Sequence, residues 1–233
     1  MKVRNIFLVG VAAVLLCSCA QKRTDTETRQ KARQLELGDS IAAITQEIDS
    51  CKEQVAILND KVNGLLPQFE TVANPREVGS YTILRTFKNA YPLKQTGLLA
   101  RINDSQQFEL VAALKGGAFD HITVIAPDIS VSSDVVPHDQ ALNYNDGELT
   151  TVSFTGEKAD EIGQVIADNL INNIRINFHQ GSRLVLSWNV PAKFANEIAA
   201  TYILYNCQKE SNRLSRREQM LHEKINILRT HRE

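Results

Sequence analysis

Proline is missing from residues 24–66, and glycine is reduced there to Gly38 and Gly64; residues 192–233 contain neither. Stretches of that length without breakers exclude a run of short strands and turns and leave a long helix at each end. Aromatic residues make up only 6% of the chain and tryptophan occurs once, at Trp188, which speaks against a sugar platform built on ring stacking. Neither sign of charge dominates. The formal net charge is −1, and removing Lys2 and Arg4 would make it slightly more negative, so there is no basic field of the kind that holds nucleic acid. No glycine-rich phosphate loop, serine-centred elbow or metalloprotease histidine pair occurs, and no internal repeat or low-complexity tract. The hydrophobic content, 43%, is that of an ordinary folded protein.

The most ordered pattern is in residues 37–65. Leu37, Ile41, Ile44, Ile48, Cys51, Val55, Leu58, Val62 and Leu65 follow one another at spacings of four and three, a coiled-coil seam, and Pro67 ends the helix. The residues before it, from Thr24, are almost all polar and read as a frayed tether. The C-terminal helix opens at Pro191. Its weaker seam runs through Leu204, Cys207, Leu214, Leu221, Ile225 and Leu228, with Ser211 and Glu218 in the remaining places. Phe194, Ile198, Tyr202 and Tyr205 form a neighbouring stripe that is expected to pack under a β-rich body.

Cys51 precedes Pro67 by as many residues as Cys207 follows Pro191. Antiparallel pairing at equal height would set Cys51 opposite Cys207, Ile44 opposite Leu214 and Leu37 opposite Leu221. The expected fold class is therefore α+β: a β-rich head with one amphipathic helix, inserted between two long helices that form an antiparallel coiled-coil stalk. The expected divisions are residues 1–18, a leader; 19–66, tether and first stalk helix; 67–190, the head; and 191–233, the second stalk helix. A monomer is favoured. Self-pairing of residues 37–65 as a coiled-coil dimer or trimer is the competing arrangement, because isoleucine at a seam position admits either.

Inside the head the period changes to two. Residues 107–114 alternate Phe108, Leu110, Ala112 and Leu114 against a second, also largely apolar set, which predicts a buried strand. Residues 81–87, 98–102, 119–126 and 148–154 are further strand candidates, with a turn signal at Asn145-Asp146-Gly147. Residues 157–170 place Ala159, Ile162, Val165 and Ile166 on one face of a helix. The clearest hairpin is 174–189. For Ile174, Ile176 and Phe178 to share a face with Leu184, Leu186 and Trp188, a three-residue loop, Gln180-Gly181-Ser182, is expected, with Trp188 opposite Ile174.

Residues 1–18 carry an address. Lys2 and Arg4 precede an apolar run over residues 6–17, too short to span a bilayer comfortably and suited to a secretory signal peptide. The run ends in Leu16-Cys17-Ser18-Cys19, which resembles the lipobox of bacterial lipoproteins, including the envelope lipoproteins of the Bacteroidetes type. The resemblance covers the leader alone, and no family is recognised in the head. It implies cleavage before Cys19 and attachment of several acyl chains, such as palmitate, to that residue. Ala20 in place of an aspartate, and Gln21-Lys22-Arg23 in place of an acidic cluster, imply the periplasmic face of the outer membrane, with inner membrane and cell surface as alternatives. With Cys17 discarded and Cys19 lipidated, Cys51 and Cys207 remain and are expected to form a disulfide in the periplasm; two small buried thiols in seam positions are the alternative.

Chemistry is sparse. His121, His138 and His179, with Asp120, Asp128, Asp134 and Asp139, show no diagnostic ligand spacing, so no metal and no other cofactor are expected. No catalytic residue stands out. The candidate binding face is Arg175, Asn177, His179 and Arg183 on the hairpin's outer side, with residues 128–146 as a lip beside it. An ordinary solvated polar face is the competing reading. The function expected is a non-enzymatic, lipid-anchored envelope protein, bound to the membrane through its lipid. Its head would be a protein-interaction or scaffold module, or alternatively a binding module for a small molecule or glycan.

Overall fold

The structure, a computed structural model, describes residues 7–139 and 141–230, with side chains from residue 28 onward. The leader and the lipidation expected at Cys19 therefore fall outside the described side chains. Among the described residues no helix is long and apolar enough to cross a membrane.

The chain is α+β. Among the described residues a long helix, α1 (Phe7–Leu65), leads into a short 3₁₀ turn at Pro67 and then ten strands: β1 (Phe69–Val72), β2 (Tyr81–Leu84), β3 (Gly97–Asn103), β4 (Phe108–Lys115), β5 (His121–Ala126), β6 (Ile129–Ser132), β7 (Asn143–Asp146), β8 (Leu149–Phe154), β9 (Arg175–Gln180) and β10 (Arg183–Asn189). Helix α2 (Glu157–Asp168) separates β8 from β9, and α3 (Ala192–Thr230) follows β10. Every strand pair is antiparallel. One sheet runs β1-β2-β3-β4-β8-β7 and the other β10-β9-β5-β6.

Strand β4 lies at the centre, and its residues from Phe108 to Leu114 are all buried. That is the fate of a strand whose two alternating sets are both apolar, because neither face can be left to water. On one side lie α2 and α3, with Ala159, Ile162, Val165 and Ile166 from the first and Ala195, Ile198, Leu204 and Tyr205 from the second in the same core as β4. Gly163 of α2 is where this packing is closest. A Cβ there would stand 2.7 Å from the Tyr202 ring and 2.8 Å from the Phe108 ring. Asp160 ties the helices together, accepting from the Tyr205 hydroxyl at 2.9 Å and pairing with Lys209 at 2.6 Å. On the other side of β3 and β4, Leu99, Val111 and Ala113 are covered and join the same core as Phe87 and Leu93.

The arrangement of the helices corrects the expectation. The structure has two antiparallel sheets, one long N-terminal helix and one long C-terminal helix, not a coiled-coil stalk flanking a head. The two helices are unequal, 59 and 39 residues. The chain divides into two compact units. One takes the chain to Val55 together with residues from Arg213 onward; the other is Ala56–Asn212 and includes the first half of α3. The cause is the aromatic stripe: Ile198 and Tyr205 are buried in the sheet core, with Phe194 and Tyr202 against it, so that half of α3 belongs to the β body.

The register fails with it. Equal height would face Glu47 with Ser211, Lys52 with Asn206 and Asn59 with Ala199. Within the first unit Glu47 instead pairs with Arg217 and Lys52 with Glu218, and within the second Asn59 accepts from Ser211. Each partner lies about two to three turns further along α3 than expected. Among the described residues the disulfide expected between Cys51 and Cys207 is absent: both are free, buried thiols.

The hairpin is corrected as well. Its turn is two residues, Gly181-Ser182, with Gly181 at φ +55°. A β-bulge between Leu184 and Leu186 shifts the register, and Trp188 faces Ile176 instead of Ile174. The extra residue that parity demanded sits in the strand and not in the loop.

Candidate functional site

Strand β9 alternates Ile176 and Phe178, fully buried, with Arg175, Asn177 and His179 on the outer face of the four-stranded sheet. Their neighbours across β5 are Ile125, Thr123 and His121. Three of the four residues expected on this face are thus brought together. Arg183 is not: it pairs with Gln180, whose side chain it contacts at 3.3 Å, on the opposite side of the hairpin from His179. Much of the face is internally bonded. The Ser187 hydroxyl donates to Asn177 at 2.7 Å, and the Thr123 and Ser132 hydroxyls lie 2.8 Å apart.

At one end the rings of His121 and His179 stack, with centroids 4.9 Å apart and planes within 10°. Nδ1 of His121 lies 2.6 Å from Asp120 Oδ1, and the other Asp120 oxygen accepts the Gly181 N–H at 2.8 Å. Asp120 therefore both orients an imidazole and ties the hairpin turn to β5. Burial alone would raise its carboxyl, but the hydrogen bonds from His121 and Gly181 outweigh it and hold the group below the ordinary carboxylate range. The His179 imidazole is held below its ordinary value, chiefly by burial and then by His121, against the pull of Asp120. Its Nε2 is buried without a partner. Among the described residues no serine or cysteine hydrogen-bonds to either ring. No cluster of three or more metal-ligating side chains occurs among them either.

Both shifts favour the less protonated state in the fold, so they have the same sign in their effect on stability. Between the ordinary histidine value, about 6.5, and the lower folded value, the unfolded chain binds more protons than the folded one, and stability falls as pH falls. Urea midpoints at pH 7.5 and 5.5 should show a decline that is shallower in His179→Phe. Equal declines in the two proteins would remove His179 from the account.

Two depressions adjoin the face. One, of about 360 Å³, is lined by Phe119, Asp120, His138, Asn143, Asn145 and Gln180. Residues 133–139 reach it through Pro137 and His138. They run beside β5 through Ser133 and Val136 N–H bonds to Ile122 and Asp120, and Asn143 pins them by donating to Phe119 O at 3.2 Å and Val136 O at 2.8 Å. Asp139 Oδ1 accepts the N–H groups of Ala141, Leu142 and Asn143. Strands β6 and β7, which bound this stretch, belong to different sheets. The second depression, of about 520 Å³, is lined by Ile125, Pro127, Ile171, Asn172, Arg175 and Asn189.

One edge of this sheet is β10, and the other is β6. Leu184 is 51% exposed and Leu186 37%. Val190 N donates to Ile174 O, and in an antiparallel ladder such pairs recur every second residue. Trp188 and Leu186 thus turn their backbone groups toward β9, and Ser187 and Asn189 turn theirs outward.

Sequence reasoning missed one further cluster. Arg101, 2% exposed on β3, lies between Glu109 at 2.7 Å and Glu77 at 2.6 Å, donates to the Tyr91 hydroxyl at 2.9 Å and sits 3.6 Å from the Tyr81 ring centroid. Glu77 Oε2 meets the guanidinium as an ion contact without hydrogen-bond alignment. The guanidinium stays charged: burial opposes it, but Glu109 and Glu77 outweigh that penalty. Burial pushes the Tyr91 phenol up to about 12. An arginine alternating with apolar residues in a strand was the available signal. Comparison of the chain with protein-family models, curated proteins and solved structures finds no match.

Proposed function

We propose that this chain is a lipid-anchored cell-envelope protein, non-enzymatic, whose β body is a protein-interaction or scaffold module on the periplasmic face of the outer membrane. The observation that carries the anchor is Leu16-Cys17-Ser18-Cys19 directly after a basic start and an apolar run. The interaction reading is supported by a sheet edge with two exposed leucines beside a polar face. The polar depression around Asp120 and His138 favours the second reading, a binding module for a small molecule or glycan.

Growing cells with an alkyne-tagged palmitate analogue should label the wild-type protein. Cys19→Ser should lose the label and leave the membrane fraction. Unchanged membrane association of an unlabelled protein would refute the anchor. Crosslinking in intact cells distinguishes the two readings of the body, since a scaffold gives a reproducible protein adduct and a ligand-binding module gives none.

A further inference from the structure

We propose that the free edge of β10 receives an extended, acidic segment of a partner protein as an added strand; the inference rests on the interaction reading above and names the partner's chemistry. The outward N–H and C=O groups of Ser187 and Asn189 supply the ladder that such a strand completes, and Leu184 and Leu186 supply exposed apolar contact. The sign of the partner follows from charge. The chain holds 27 acidic residues, yet residues 169–196 hold none and carry Arg175, Arg183 and Lys193. Asp120, beside the turn, is already bonded to His121 and to the Gly181 N–H.

An added strand thus meets arginine near both ends of the hairpin: Arg183 at the turn, and Arg175, across from Asn189, at the far end. At that end the depression of about 520 Å³, where Ile171 is fully exposed, can take the next side chain of the segment. Carboxylates on the segment are attracted to this edge and lysines are repelled. A second copy of this chain is a poorer occupant, because antiparallel pairing of β10 with itself gathers the basic groups of both copies without an acid between them.

The test follows backbone amide shifts of the isotope-labelled protein on adding a capped peptide of alternating valine and glutamate, or one of alternating valine and lysine. The glutamate peptide should shift Leu184, Ser187 and Asn189 saturably, and the lysine peptide should not. Ser187→Pro removes one outward donor while keeping the bonds to β9, a substitution that an edge strand tolerates, and it should abolish the shift. Arg175→Glu with Arg183→Glu, two surface changes that leave the core intact, should reverse the peptide preference by roughly tenfold.

Equal binding of both peptides, undiminished binding by Ser187→Pro, or shifts gathered around His138 instead would overturn the proposal. So would a concentration-dependent dimer abolished by Ser187→Pro, which would assign the edge to a second copy. If the cellular crosslink persists in Ser187→Pro, the edge is not the docking place while the interaction reading stands; if no crosslink forms in the wild type, that reading itself fails.

Discussion

Replacement of Arg101 by methionine is expected to cost about 3 to 5 kcal/mol of folding stability, a large share of the roughly 5 to 15 kcal/mol that domains possess. The effect comes less from the lost contacts than from what remains. Glu109 and Glu77 would keep facing the vacated space, and their side chains are only 10% and 9% exposed. Asn103 and Asn74 hold the two carboxylates in place through donors at 2.8 Å and 2.6 Å, so neither can easily turn to water. Neutralising the pair in the methionine background, with Glu77→Gln and Glu109→Gln, should restore part of the loss, because two buried charges without a counterion are replaced by amides. The same cluster fastens residues 73–80, which also carry Arg76 paired with Asp146 at 2.8 Å. Hydrogen exchange in that segment should therefore accelerate in Arg101→Met before the rest of the sheet is affected. A urea unfolding curve within about 0.5 kcal/mol of the wild type, the range of an ordinary surface change, would show that the cluster contributes little.

The second large effect is expected at the contact between α2 and β4. Phe108→Ala should cost about 3 to 5 kcal/mol, since the ring is buried and lies 5.5 Å from both Tyr202 and Tyr205. Gly163→Ala should be destabilising even though alanine is the better helix former by about 1 kcal/mol. Its methyl group would meet two core rings at under 3 Å, and overpacking of that kind costs about 1 to 3 kcal/mol. The informative measurement is the double variant. With the Phe108 ring gone, the added methyl enters vacated space and Gly163→Ala becomes neutral or favourable. Single and double effects that add within about 0.5 kcal/mol would show that the two sites do not touch.

Features that depend on local spacing were legible in the sequence. The absence of breakers announced α1 and α3, the doubly apolar stretch at residues 107–114 announced a strand covered on both faces, and the amphipathic pattern at 157–170 announced α2. Short strands escaped notice. Strands β1, β6 and β7 have four residues each, too few for alternation to separate from loop. The three outer-face residues of β9 could be grouped because alternation fixes faces. Asp120 and His121 could not be added to them, because nothing in the spacing says that β5 pairs with β9 across more than fifty residues of chain.

Periodicity thus determined which segments are helices and strands and which side of each is apolar, because both follow from a residue's immediate neighbours. Pairing was decided only in three dimensions. The first half of α3 has two apolar stripes, and the sheet took one of them, which moved the partner of Glu47 to Arg217 and left Cys51 and Cys207 unbonded. A single bulge reset the hairpin register, and Arg101 found its carboxylates on a neighbouring strand and a distant loop. Each of these outcomes turns on which surfaces compete for the same contact, a quantity that the order of residues along one segment does not contain.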